Sequence, residues 1–432
     1  MKFIITKTKE INGAQIIPGS KSETIRALVC ALLAKGKSEI NNFLDCEDSK
    51  TALKALKVLG ASAIRQSNQV IIKSAGLPIK TKAKKINTGN SGITTKFILP
   101  VLGLRENNDL PVIFDCGKQM RERPIIPLLN ALNNLGMNIT FLKKYGSCPL
   151  VVKGTLVGGT TSVDGNISQY LSALLLSLPL SPSDSVITVK NLKERPYMEM
   201  TLQFLDNLGV SYSHDKVKNT DIYKIKGRQK YSGFKKNISG DFSSASYLIA
   251  AGCLIKGKIT LEGLNMESPQ GDKKLIEILK KMGADIKISK TKKKISILGG
   301  EKLIGISIDA NDVPDLVPTL AVIGTYAKGK TKIYNVAQAR IKETDRIKSM
   351  SLGLRRMGAR VKEYKDGLTV YENALKGCTV KGFDDHRTVM AFVIAGMIAE
   401  GKTTVTDAEA VNKTFPNFYQ LIKALGANIK LS

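Results

Sequence analysis

Tryptophan is absent from the chain, and histidine occurs only twice, at His214 and His386. The six cysteines, Cys30, Cys46, Cys116, Cys148, Cys253 and Cys378, form no Cys-x-x-Cys pair. With two imidazoles and no paired thiols, no metal site is indicated. Scattered thiols in a chain of this length read as reduced residues of a cytosolic protein. Long apolar runs are missing as well. The longest, residues 389–399, is too short to span a bilayer, and the first ten residues hold only the run 3–5, far short of a signal peptide. A cytoplasmic protein without a membrane partner is the expectation. Acidic residues are also scarce: 37 Asp and Glu face 66 Lys and Arg, a formal net charge of +29. That excess favours anionic partners and their rapid capture. Nucleic acid is the first partner such charge suggests, but the basic runs 82–85 and 290–294 are short. No finger, RRM-like or helix-turn-helix signature accompanies them, so they read as solvated lysine faces.

What is present is a globular composition, 43% hydrophobic and 24% charged over 432 residues. The length implies two domains of roughly 200 residues each. One pattern recurs throughout: an apolar helical run ending in Leu or Met, then Gly, then a short alternating segment. The glycines are Gly60, Gly136, Gly209, Gly283, Gly358 and Gly426. Glycine just past a helix end supplies the left-handed C′ residue, and six copies at near-constant spacing define an internal repeat. Each repeat carries a second helix opening in small or acidic residues: Gly19-Ser20-Lys21-Ser22, Gly89-Asn90-Ser91-Gly92, Gly165-Asn166-Ile167-Ser168, Gly240-Asp241-Phe242-Ser243, Asp312-Val313-Pro314-Asp315 and Asp384-Asp385-His386-Arg387. Ser, Asn and Asp there are expected to cap orphan N–H groups, and helix N-termini aimed at one ligand concentrate positive charge on an anion. Three repeats fall to each domain. The polar stretch 227–237 marks a crossing between domains; the first strand precedes the first capped helix and is open to joining the C-terminal half, so the expectation is residues 19–237 as one domain and 1–18 with 238–432 as the other. The first strand is expected over residues 2–11.

Charged clusters stand at helix openings and loops, where binding groups belong. They are Pro18-Gly19-Ser20-Lys21-Ser22 with Arg26, Gln119-Met120-Arg121-Glu122-Arg123-Pro124, Lys342-Glu343-Thr344-Asp345-Arg346, Asp384-Asp385-His386-Arg387 and Asn412-Lys413-Thr414-Phe415-Pro416. In order and spacing, together with Asn90-Ser91-Gly92, they resemble the 5-enolpyruvylshikimate-3-phosphate synthases of the enolpyruvyl transferase family, from Pro18 to Pro416. The resemblance implies an α/β fold of two domains, each of three βαβαββ repeats (an inside-out α/β barrel), hinged over a cleft. It implies transfer of the enolpyruvyl group of phosphoenolpyruvate to shikimate 3-phosphate by addition and elimination, with no cofactor, in a monomer that closes on its acceptor. Arginine's planar fork suits the carboxylate and phosphate of phosphoenolpyruvate. By resemblance Arg123, Arg346, Arg387 and Lys413 bind it, with Lys21, Asn90, Gly92 and Gln169. The acceptor falls to Lys21, Ser22, Arg26, Ser168, Gln169, Tyr197, Asp315, Gln338 and Lys342. Asp315 and Glu343 resemble the carboxylates that divide the proton transfers, while Lys21 and Lys413 stabilise the departing phosphate.

The chain departs from that family at the acceptor phosphate. Ile167-Ser168-Gln169 stands for a usual Ser-Ser-Gln, Glu194 for a serine before Arg195-Pro196-Tyr197, and Gln338 for an asparagine. A carboxylate near a phosphate weakens binding unless it turns away or pairs with Arg195. A weakened or rebuilt phosphate site, including one for a different carboxylated ring, is therefore the expectation. Ile93, Lys96 and Phe97 also differ from the usual pattern, which points to reduced sensitivity to glyphosate. The sister family acting on UDP-N-acetylglucosamine usually has a cysteine where Lys118 stands; Cys116 misses that register. A nucleic-acid binder would rest on charge alone.

Overall fold

The computed structural model describes all 432 residues, Met1–Ser432. In chain order its helices are α1 (Lys21–Leu33), α2 (Glu47–Val58), α3 (Gly92–Val101), α4 (Lys118–Arg121), α5 (Ile126–Asn134), α6 (Ser168–Ser177) and α7 (Arg195–Asn207). There follow α8 (Phe242–Leu254), α9 (Lys274–Lys281), α10 (Val317–Tyr326), α11 (Arg346–Arg356), α12 (His386–Ile398) and α13 (Phe418–Ala424). Apart from the single-turn α4, two kinds alternate. The helices α1, α3, α6, α8, α10 and α12 are apolar on nearly all sides; every residue of α3 and of α8 is buried. A helix of that composition has to sit inside a core. The others are amphipathic: α9 buries Leu275, Ile276, Ile278 and Leu279 and leaves its lysines at the surface.

The chain divides into two compact units, Lys21–Ile238 and Met1–Ser20 with Ser239–Ser432. Each has its own hydrophobic core and three mixed sheets. The sheet of Lys85–Asn87, Val112–Asp115, Leu150–Gly154 and Met137–Phe141 shows the common plan: the first two strands run parallel and the rest antiparallel. In the unit Lys21–Ile238, the late strands Tyr231–Ser232 and Lys235–Asn237 run parallel to Ala34–Asn41 and complete its first sheet. In the other unit, Gly13–Ile16 runs parallel to Gly257–Glu262, while Lys2–Thr6 pairs antiparallel with Lys402–Thr406 and Ile429–Leu431. The strand expected over residues 2–11 is shorter, Lys2–Thr6, and Gly13–Ile16 beyond it is a second strand in a different sheet, with Glu10 making only an isolated bridge to Lys256.

The six repeat glycines all take the left-handed conformation, from φ +70° at Gly209 to +106° at Gly426. Each follows a helix C-cap Leu or Met. The helix-opening signals are less uniform. Ser91, Asp241 and Asp385 cap α3, α8 and α12 with their side chains, but Ile167 precedes α6 and Val313 the turn before α10, and neither has a capping side chain. No helix is long and apolar enough to cross a membrane.

Candidate active site

In the unit that holds α8–α13, the opening turns of α11 and α12 bring charges together. Arg346 is the first residue of α11 and is 0% exposed. Its Nη1 donates to Asp315 Oδ1 at 2.5 Å, its Nη2 to Glu343 Oε2 at 2.6 Å and its Nε to Asp385 Oδ2 at 2.8 Å. Asp385 also accepts the Arg387 backbone N–H at 2.8 Å, so one carboxylate caps α12 and anchors α11. Arg387, itself buried, donates Nη2 to Asp315 Oδ2 at 2.6 Å. Asp315 therefore bridges two arginines. Burial works to raise its pKa, but Arg387, Arg346 and Lys342 outweigh burial and hold the carboxyl well below the usual range. The Arg346 guanidinium loses solvation on burial, yet Asp385, Glu343 and Asp315 keep it firmly protonated. The structure thus joins Asp315, Glu343, Arg346 and Arg387 directly, with Lys342 close enough to act on Asp315. Lys413 donates Nζ to the Asp384 carbonyl at 2.9 Å, which ties it to the turn before α12. Gln338 donates to Asn311 O at 2.7 Å, while its buried Oε1 has no hydrogen-bond partner.

In the unit that holds α1–α7, the segment Gly89-Asn90-Ser91-Gly92 lies beside residues 115–123. The Gly117 N–H donates to Gly89 O at 2.7 Å, and a Cβ on Gly117 would lie 2.1 Å from Asn90 Oδ1. Arg123 lies as close to Gly92: a Cβ there would meet its Nη1 at 2.4 Å, so a side chain at this position would displace the guanidinium. The neighbouring Arg121 donates to both carboxylate oxygens of Asp115 at 2.9 Å. Lys21, the first residue of α1, stands 3.4 Å from Asp48.

Arg26 lies one turn further along α1 and is buried over the Phe97 ring. Its Nε donates to Thr201 Oγ1, its Nη2 to Ser172 Oγ and Tyr197 O, and its Nη1 to Ser22 O. A guanidinium has five hydrogens, so these four bonds leave one, on Nη1. Burial lowers Arg26 to about 10, so it stays charged near neutrality. Lys96 is fully buried and donates Nζ to Gly92 O at 3.3 Å.

The α6 N-terminus is capped from a distance. Glu194, 2% exposed and left-handed at φ +55°, turns its carboxylate onto Ser168, accepting the hydroxyl at 2.7 Å and the backbone N–H at 3.4 Å. Arg195 points elsewhere, gripping Asp221 through both Nη atoms at 3.0 and 2.7 Å, with His214 Nε2 on the same carboxylate at 2.8 Å. Glu194 has therefore not turned away from Ser168. Beside it, the buried Oε1 of Gln169 has no hydrogen-bond partner.

Sequence reasoning passed over Asp385, although it named its cluster, and missed Asp272. Asp272 is buried, accepts a hydrogen bond from Ser243 Oγ, and has no partner at Oδ1. Burial, with the charge of Asp315, raises its carboxyl to about 7. No motif marks it, since its environment is made by Ser243 and Asp315, which are distant in sequence. No group of three or more His, Cys, Asp or Glu side chains is arranged to hold a metal ion.

Against known proteins, the family model described as EPSP synthase (3-phosphoshikimate 1-carboxyvinyltransferase) matches residues 5–422. The chain is 43% identical over 429 residues to the 3-phosphoshikimate 1-carboxyvinyltransferase of Acetivibrio thermocellus, covering 99% of each chain. It is 40% identical over 439 residues to the protein of that name from Methanocaldococcus jannaschii, again covering 99% of both. Among solved structures, an EPSP synthase of Acinetobacter baumannii superposes with a TM-score of 0.82 at 24% identity, over 100% of this chain and 99% of that one.

Proposed function

Because the chain belongs to the family of EPSP synthase (3-phosphoshikimate 1-carboxyvinyltransferase), we propose that it transfers the enolpyruvyl group of phosphoenolpyruvate to the 5-hydroxyl of shikimate 3-phosphate, releasing phosphate. That is a step of the shikimate pathway, towards chorismate and the aromatic amino acids. The observation that carries this reading is the array Arg346–Asp315–Arg387, with Glu343 on the same guanidinium. Two buried arginines held in fixed orientation by carboxylates suit a small dianion, because guanidinium forks bind carboxylate and phosphate bidentately. The relatives' names, at 40% identity or more along the chain, favour the phosphorylated acceptor over another ring acid.

The roles proposed for the residues are those that the family resemblance implies. Arg346, Arg387, Arg123 and Lys413, with Asn90, Gly92, Lys21 and Gln169, bind phosphoenolpyruvate. Lys21, Ser22, the remaining Arg26 hydrogen, Ser168, Gln169, Tyr197, Gln338 and Lys342 bind the acceptor. The acceptor oxygen attacks C2 of phosphoenolpyruvate as the methylene carbon gains a proton. The tetrahedral intermediate then returns that proton and expels phosphate, restoring the double bond. Glu343 serves the methylene proton and Asp315 the acceptor hydroxyl. Bridged by two arginines, Asp315 is a poor base. A phosphoenolpyruvate anion that takes over their donors makes it a better one, which ties base strength to donor binding. Lys21 and Lys413 stabilise the leaving phosphate.

Phosphate release tests the reading. It is expected to require phosphoenolpyruvate and shikimate 3-phosphate together; equal release with unphosphorylated shikimate, or with no acceptor, would overturn it.

A further inference from the structure

Cys116 and Cys148 sit where two strands of one sheet part. Val112–Asp115 pairs antiparallel with Leu150–Gly154 in the register Val112↔Val152, Ile113↔Val151 and Phe114↔Leu150. Cys116 and Cys148 lie just past the end of that ladder, two residues from Phe114 and from Leu150, where the register carried on would set them opposite each other. Directly opposed residues in an antiparallel pair have Cα atoms about 4.5–5.5 Å apart, inside the range a disulfide spans. The side chains agree with that placement: both lie in the same buried core, and each thiol is the largest influence on the other's titration. Both are reduced, and they are 2% and 5% exposed.

The segment they bracket, residues 117–147, carries α4 and Arg123. Its base is tied closely to the phosphoenolpyruvate loop: Gly117 donates to Gly89 O at 2.7 Å and packs under Asn90, and Ser147 Oγ donates to Arg121 O at 3.0 Å. Asp115, next to Cys116, holds Arg121. A change at the sulfur pair therefore reaches Asn90 through Gly117, and reaches Arg121, two residues before Arg123, through Asp115 and Ser147.

We propose that Cys116 and Cys148 form a site of reversible oxidative modification, closing to a disulfide by exchange with a low-molecular-weight disulfide such as oxidised glutathione. The Cys116 thiolate attacks one glutathione sulfur and releases the first glutathione thiolate. Cys148 then gives up its proton, attacks the Cys116 sulfur and displaces the second. Two protein thiols are oxidised, one small disulfide is reduced to two thiols, and the two protons leave with those thiols. The order follows from the environment. Cys148 lowers the Cys116 thiol, with Arg121 and Lys96 assisting against burial and Asp115, while Cys116 and burial push Cys148 up. Local opening of the segment admits the reagent. Drawing the two sulfurs to a bond of about 2.05 Å pulls Gly117 from Gly89 and Asn90, and phosphoenolpyruvate binding weakens. That last consequence rests on the function proposed above; the disulfide itself does not.

The test treats the full chain with oxidised glutathione, quenches with an alkylating reagent and maps peptides by mass spectrometry. A Cys116–Cys148 linked peptide lacking two hydrogens is expected, with KM for phosphoenolpyruvate raised about tenfold and both changes reversed by dithiothreitol. In Cys148→Ala, the same treatment is expected to stop at a glutathione adduct on Cys116. Both thiols alkylated without a linked peptide would overturn the site. A complete link that leaves KM unchanged would overturn its effect. The mass readout stands apart from turnover, so failure of the functional reading is recognised separately, by absent activity in the reduced protein.

Discussion

The hydroxyl and the backbone N–H of Ser168 both donate to one carboxylate oxygen of Glu194, at 2.7 and 3.4 Å. The carboxylate thereby fills the opening of α6, a place suited to an anion by its exposed N–H groups and helix dipole. If the acceptor phosphate approaches Ser168, it meets that charge first. Glu194→Ser is therefore expected to lower KM for shikimate 3-phosphate about tenfold, ~1.4 kcal/mol, and to leave KM for phosphoenolpyruvate unchanged. Steady-state kinetics with each substrate varied decides it; an unchanged or raised KM for the acceptor contradicts the placement.

Arg346 serves three carboxylates from one buried fork. Lysine keeps the charge but cannot reproduce that geometry. Arg346→Lys is expected to lower kcat/KM by about 10²–10³-fold and to cost roughly 3 kcal/mol of stability. Kinetics and chemical denaturation check the two figures, and a variant with near-normal turnover would remove Arg346 from the site.

The Arg123 guanidinium lies against Gly92, where a Cβ would come within 2.4 Å of Nη1. Gly92→Ala must displace one or the other. KM for phosphoenolpyruvate is expected to rise by about tenfold, with a smaller change for the acceptor. Equal changes in both would point to a tilt of α3 as a whole.

Asp272 carries a pH signature. Burial and the charge of Asp315 raise its folded-state pKa to about 7, whereas the unfolded chain titrates near 3.9. A raised pKa gives a contribution that is fully present below about pH 4 and is lost as pH rises through about 7. Asp272→Asn removes that loss. Thermal melts of both proteins between about pH 5 and pH 8 are expected to show the native protein losing more stability than the variant; parallel curves would contradict the assignment. Asp315, held low, acts oppositely, and its contribution is lost as pH falls below about 4.

Local signals were legible in the sequence and distant ones were not. Each Leu/Met-Gly ending produced a left-handed glycine, because the helix stop is encoded within a few residues. Ser91, Asp241 and Asp385 likewise cap the helices they open. At α6 the local signal failed, since its cap is Glu194, 26 residues away. Glu343 and Arg346 are three residues apart and recognisable as a pair, whereas their link to Asp315 and Asp385 exists only once α10, α11 and α12 pack together. Cys116 and Cys148 come to lie at the end of one strand pair, which no spacing between them reveals.

The most direct measurement mixes the protein with phosphoenolpyruvate labelled with ¹³C at C2 and shikimate 3-phosphate, and follows the products by ¹³C and ³¹P NMR. The account predicts an enolpyruvyl ether at the 5-oxygen and an equal amount of free phosphate, with the acceptor's own phosphate retained. Phosphate and pyruvate without the ether would contradict it.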